Sequence, residues 1–145
     1  MTSILEPGAE LGPSRWIDVD RQRVERYASA TEDSPWIAAN RDRAASGPFG
    51  TAIAHGFLTL SLLPELWFDV AGDAGYHVTV NYGVDRIRFP APVPVGSRVR
   101  AAFRVLGVQD VDGGVQARIA ASVEREGGDR PVCVAELVWR FLQAE

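Results

Sequence analysis

The sequence predicts a single α+β domain, residues 1–145, in which an antiparallel sheet wraps round a central buried helix. The chain has 145 residues, a length typical of one domain with its own hydrophobic core. Residues 53–63 carry apolar side chains on every side, as expected of a helix that is surrounded by other structure. Residues 76–142 alternate apolar and polar positions in about four long segments, which is the pattern of antiparallel strands. A sheet with one apolar face needs a cover, and the apolar helix is the available partner.

Short elements are predicted in the first third of the chain. Residues 15–19 could form a short strand. Asp18 or Asp20 can cap a helix that continues to Ala30, because a carboxylate accepts the free N–H groups of a first turn. A second short helix is expected over residues 41–45, after a break that contains proline.

The buried helix is predicted to run from Ile53 to Leu63 and to kink or end at Pro64, since proline lacks the N–H that a helix interior needs. The first long strand after it changes its apolar phase near Gly83, which indicates a β-bulge. The last segment, from Val132 onward, is apolar on both faces and is therefore expected to be an internal strand.

Composition excludes several classes of function. The net charge of −4 argues against a general nucleic-acid-binding protein. One cysteine, Cys133, and two histidines allow no intrachain disulfide and no ligand-spaced zinc cluster, so no metal site is expected. All fifteen basic residues are arginine, which excludes a Schiff-base lysine and a phosphate-binding loop lysine. The sequence shows no signal peptide and no apolar run of the roughly 20 residues that a membrane helix needs, so a cytoplasmic protein is expected.

Several segments together resemble the MaoC-like (R)-specific enoyl-CoA hydratase/dehydratase family. Residues 27–37 are similar to the loop that carries the active site, and residues 49–63 are similar to the central helix of that family. Residues 81–83 and 88–96 resemble the strand and turn that follow. The resemblance implies the hot-dog fold and a homodimer joined edge to edge. It also implies the addition or removal of water across the double bond of an acyl thioester, by acid–base catalysis and without a cofactor.

The resemblance implies a role for particular residues. The family's acid–base pair, an Asp and a His five residues apart, falls on Asp33 and Ala38, so the chain keeps the carboxylate and lacks the imidazole. Trp36 and the vacated space at Ala38 are expected to contact the substrate. The remaining supporting or substrate-binding positions fall on His55, Gly56, Ser61 and Gly83.

The missing histidine leaves four interpretations open. Asp33 could act alone or with a substitute partner in an elimination, an isomerisation or an oxa-Michael-type addition, with a bulkier substrate filling the space at Ala38. His55, His77 or Tyr82 could take over the lost role. The chain could be the partner of a His-bearing homologue that holds the working site. It could also bind an acyl thioester without catalysis. The expected partners are therefore an acyl thioester and a second subunit, identical or homologous, with no nucleic acid and no membrane.

Overall fold

A computed structural model describes residues 3–33 and 41–144 of the chain. The strands within these ranges are β1 (Glu10–Leu11), β2 (Ile17–Val19), β3 (Val78–Arg88), β4 (Ser97–Val111), β5 (Gly114–Arg125) and β6 (Pro131–Leu142). The helices within the same ranges are α1 (Arg21–Thr31), α2 (Arg41–Ala45), α3 (Gly56–Ser61) and α4 (Leu63–Ala71).

The strands form one sheet in the order β1-β4-β5-β6-β3, with β2 paired to β4 beside β1. Every pairing is antiparallel, which confirms the predicted sheet. The strand that was expected to be internal, β6, lies between β5 and β3. The register of β3 against β6 shifts between Asn81 and Gly83 and again between Val84 and Arg86, which confirms the bulge. The short strand predicted over residues 15–19 is confirmed in its last three residues, as β2.

Helices α3 and α4 pack against one face of the sheet. Trp67 of α4 is 2% exposed and meets Phe103 of β4 edge-on, with ring centroids 5.3 Å apart. Its ring also meets Trp139 of β6 at 5.7 Å and lies at right angles to it. Aromatic rings of this size bury a large apolar area and favour edge-to-face contacts, so this group fixes α4 against the sheet. The predicted arrangement of a helix covered by a sheet is therefore confirmed.

The buried helix differs from the prediction of one segment over 53–63. Ile53 forms an isolated bridge to Pro94, and the helix begins three residues later, at Gly56. Leu62 ends α3 and caps α4, so the helix is broken there. Pro64 was expected to kink or end a helix, and it instead lies in the first turn of α4, where a missing N–H costs little.

The first helix ends close to its expected position. The Asp20 carboxylate accepts the N–H of Arg23 at 2.8 Å, which identifies the cap among the two candidates. The helix continues to Thr31, one residue beyond the predicted end at Ala30. No helix of the described ranges is both long enough and apolar enough to span a membrane.

Candidate active site

Asp33 lies immediately after the left-handed turn that ends α1. Glu32 caps this helix with φ 58° and ψ 19°, a conformation that residues other than glycine adopt rarely. The N–H of Asp33 donates to Oγ1 of Thr31 at 3.3 Å, so the turn is partly held by its own side chains. Asp33 is exposed in the single chain.

His55 connects this turn to the start of α3. Its Nε2 lies 2.7 Å from the backbone oxygen of Asp33. A carbonyl oxygen can only accept, so Nε2 carries the hydrogen and donates. His55 is also the residue that precedes α3, and its own carbonyl accepts the N–H of Leu58 at 3.0 Å. One side chain thus joins the end of α1 to the beginning of α3.

Tyr27 completes a group that we call the Asp33 cluster, consisting of Tyr27, Asp33 and His55. The ring centroids of Tyr27 and His55 are 4.7 Å apart, with the planes tilted by 50°. Burial, and to a smaller extent the negative charge of Asp33, raise the pKa of the Tyr27 phenol above its usual value. The phenol is therefore protonated at neutral pH and lies within electrostatic reach of the carboxylate.

A cleft lies between α3 and the edge strand β3, and we call it the α3–β3 cleft. Its volume is about 300 Å³. Ser61, at the end of α3, and Gly83, at the bulge of β3, both line it, so two of the predicted site residues come together here. The Ser61 hydroxyl donates to the carbonyl of Leu58 at 2.6 Å. The other lining residues are mostly apolar: Phe57, Leu60, Leu63, Pro64, Asn81, Val84, Leu137 and Trp139.

The Asp33 cluster lies before the first residue of α3, and the α3–β3 cleft extends along the helix from Phe57 to Ser61. His55 precedes the helix and Ser61 is its last residue. Six helical residues span about 9 Å at 1.5 Å per residue. The lining of the cleft therefore begins two residues after His55 and extends along the helix away from the Asp33 cluster.

Gly56 begins α3 and allows close contact with an aromatic ring. A Cβ at this position would lie 3.0 Å from the Phe89 ring, closer than ordinary contacts permit. The ring of Phe57 packs near the same Phe89 ring, with centroids 6.1 Å apart. In the described structure Gly56 thus contacts the segment after β3, and it does not line the α3–β3 cleft.

The structure does not bring two of the suggested substitutes for the missing histidine to Asp33. Tyr82 is 57% exposed and its ring packs under the guanidinium of Arg140, 3.9 Å from the ring centroid. His77 is exposed, and its Nδ1 accepts the N–H of Ala144 near the end of the chain. Neither lines the α3–β3 cleft, and of the three suggested substitutes His55 is the one that is hydrogen-bonded to Asp33 in the described structure.

Two predicted site residues, Trp36 and Ala38, lie outside the described residues. Within the described ranges, no group of three or more His, Cys, Asp or Glu side chains could hold a metal ion.

Tyr27 and Asn81 border the candidate site without having been assigned a role there. Both lie in segments that resemble the family, residues 27–37 and 81–83, and this was the sequence signal that could have identified them.

Comparison with known proteins identifies the class. An antiparallel sheet that covers a central helix, with the α3–β3 cleft at the sheet edge, is the hot-dog arrangement. It matches the (R)-hydratase from A. caviae with a TM-score of 0.79 at 23% identity, over 97% of this chain and 99% of that one. It also matches a chain of the ChsH1-ChsH2 complex from Mycobacterium tuberculosis with a TM-score of 0.75 at 18% identity, over 94% and 98% of the two chains.

Sequence comparison then gives the family. Residues 3–126 match the profile of the MaoC like domain. The 3-hydroxyacyl-thioester dehydratase Z of Mycobacterium tuberculosis is 48% identical over 136 residues, which are 93% of this chain and 90% of that protein. Nodulation protein N of Rhizobium leguminosarum is 42% identical over 135 residues, 90% of this chain and 83% of that one. The chain belongs to the MaoC-like domain family, and the resemblance found in its motifs is confirmed.

Proposed function

We propose that the protein is a hydratase/dehydratase-type lyase that acts on an acyl-CoA or carrier-bound acyl thioester, with Asp33 as its acid–base group. The observation that carries the proposal is the hydrogen bond from His55 to the Asp33 backbone carbonyl, which ties Asp33 to the residue that precedes α3. The similarity to a 3-hydroxyacyl-thioester dehydratase over nearly the whole chain supports the same class of reaction.

The absence of the family's histidine at Ala38 requires a modified mechanism. In an elimination, Asp33 can take the proton from the α-carbon and deliver it to the leaving β-hydroxyl, so one carboxylate can carry out both proton transfers. In an isomerisation, it can take a proton from one carbon and return it to another. In an oxa-Michael-type addition, a hydroxyl of the substrate replaces water as the nucleophile. All three reactions need only proton transfer next to a thioester carbonyl, so no cofactor is required beyond the CoA or carrier group of the substrate.

We infer that a second subunit binds along β3. Within the described sheet, β3 pairs only with β6, so its other edge has unpaired N–H and C=O groups. Four large apolar side chains of this strand, Val78, Val80, Tyr82 and Val84, are between 36% and 57% exposed. An exposed apolar edge strand is a template for pairing with another chain. Such a subunit would also cover the site, where Asp33 is exposed in the single chain. We propose the cytoplasm as the compartment of the protein.

A second candidate function is a catalytically degenerate thioester-binding or partner subunit of a His-bearing homologue. The alanine at position 38 favours it, because a methyl group cannot transfer a proton. The ChsH1-ChsH2 complex shows that two differently named chains of this fold can assemble. Co-purification with a His-bearing homologue, and activity only in the mixed assembly, would favour this function over the first.

The test compares wild type with Asp33→Asn in the hydration of crotonyl-CoA and longer enoyl-CoAs, and in the reverse dehydration. Loss of an acid–base group typically lowers the rate ~10²–10⁴-fold, and this is the expected effect. Asp129→Asn is the matched control, because this exposed aspartate lies in the turn between β5 and β6. Equal rates for wild type and Asp33→Asn would remove Asp33 from the mechanism.

A further inference from the structure

We propose that His55 is a positioning residue that holds the Asp33 turn in place, and that it does not carry the proton that the missing histidine would have carried. The inference rests on the proposed function of Asp33 and deepens it, since it assigns the role of the one imidazole beside the carboxylate. Three features of the described structure support it: the direction of one hydrogen bond, the burial of the second ring nitrogen, and the backbone of the turn.

The first ring nitrogen is already used. Nε2 donates its hydrogen to the Asp33 carbonyl at 2.7 Å, a short and therefore strong contact. In the neutral ring only one nitrogen has a hydrogen, so this bond fixes the tautomer with the hydrogen on Nε2. A nitrogen that donates to a backbone carbonyl cannot at the same time accept a proton from a substrate.

The second ring nitrogen cannot reach a substrate. Nδ1 is buried and has no hydrogen-bond partner within residues 3–33 and 41–144. The ring of Tyr27 packs against the imidazole with centroids 4.7 Å apart, which restricts rotation of the ring. Both nitrogens are therefore excluded from proton transfer, and the role that remains is to hold Asp33.

The turn before Asp33 has a specific need for this support. Glu32 has φ 58° and lies in the left-handed region, where a side chain strains the backbone. Glycine, which has no side chain, would adopt that conformation without strain. The turn of this chain therefore depends more on an external contact than a glycine turn would. The His55 hydrogen bond is that contact, and it also ties Asp33 to the residue from which α3 starts.

The first test uses conservative rescue. Glutamine can present an N–H where His55 presents Nε2–H, but it cannot transfer a proton. We expect His55→Gln to keep kcat within about tenfold of wild type, and His55→Ala to lower kcat by about 10²-fold, because misplacing a catalytic group by 1 Å can cost that much. The matched control is His77→Gln, at the exposed second histidine. Equal and large losses of kcat in His55→Gln and His55→Ala would overturn the proposal.

The second test does not depend on activity, so it separates this inference from the proposed function. ¹⁵N NMR of the wild-type imidazoles should show the His55 hydrogen on Nε2, and a hydrogen on Nδ1 would overturn the inference. Hydrogen exchange at the Asp33 amide should become faster in His55→Ala and stay near wild type in His55→Gln. Replacing Glu32 by glycine should reduce the effect of His55→Ala on that exchange. An unchanged effect in the Glu32→Gly background would contradict the role assigned to the strained turn.

Discussion

Substitution of Gly83 can show whether this glycine is needed for folding or for substrate binding. The resemblance assigns it to substrate binding, and the structure places it in the wall of the α3–β3 cleft. A Cβ added at Gly83 would have one neighbour within 4 Å, the Cβ of Val138 at 4.0 Å, which is ordinary contact. The backbone of Gly83 also lies outside the left-handed region. We therefore expect Gly83→Ala to fold normally, with a free energy of unfolding equal to wild type or higher by up to about 1 kcal/mol.

Gly114 is the matched contrast within the same sheet. A Cβ at Gly114 would lie 1.9 Å from the backbone oxygen of Phe141. Because carbon and oxygen approach to no less than about 3.3 Å in such contacts, β5 and β6 would have to separate locally by about 1.4 Å. Overpacking of this kind costs ~1–3 kcal/mol or more. Gly114→Ala should therefore lose stability that Gly83→Ala retains.

The assay combines urea denaturation, followed by tryptophan fluorescence, with turnover of enoyl-CoAs of increasing chain length. Gly83→Ala should keep the denaturation midpoint and lose turnover, most strongly for long chains, because the added methyl narrows the cleft. Gly114→Ala should shift the midpoint to lower urea. A loss of stability in Gly83→Ala as large as that in Gly114→Ala would refute the reasoning, since the glycine would then be required by the fold.

Three further residues give testable outcomes. Ser14→Ala should lower the free energy of unfolding in urea by about 1–3 kcal/mol, because the Ser14 hydroxyl accepts the buried N–H of Ala101 at 3.0 Å. Burial raises the pKa of the Cys133 thiol from its ordinary value near 9 to about 11, so a thiol reagent at pH 8 should react only after unfolding. Since the unfolded chain releases that proton more easily, the free energy of unfolding should fall as the pH rises from about 9 to 11. Ala38→His should raise hydratase activity by ~10²–10⁴-fold, and no gain would contradict the assignment of Ala38 to the histidine position.

Local patterns predicted most of the sheet and the first helix. The strands from β3 to β6 follow from their two-residue alternation, and the Asp20 cap follows from residue type alone. β1 was not predicted, because a strand of two residues has no period. It is held by contacts distant in sequence, such as the N–H of Gly8 donating to the carbonyl of Val105 at 2.8 Å. The break at Leu62 was also missed, since a proline just inside a new helix and one that ends a helix look the same in sequence.

The site was only partly predictable for a physical reason. The hydrogen bond between His55 and Asp33 joins residues 22 positions apart. Its acceptor is a backbone carbonyl, which every residue has, so the sequence does not mark it. The phase slip at Gly83 indicated a bulge but not its orientation. The structure places Asn81 and Gly83 in the cleft and turns Tyr82 towards Arg140, away from it.

The edge position of β3 has a consequence for selectivity. Gly83 and Val84 form one wall of the α3–β3 cleft, and their strand is hydrogen-bonded to the described sheet on one side only, through β6. If a second subunit docks on the open side, as we propose, it would contact the backbone of that wall and would set the width available to the proposed acyl chain. Exchanging the docked chain for a homologue would then retune the accepted tail length while every lining residue stays the same.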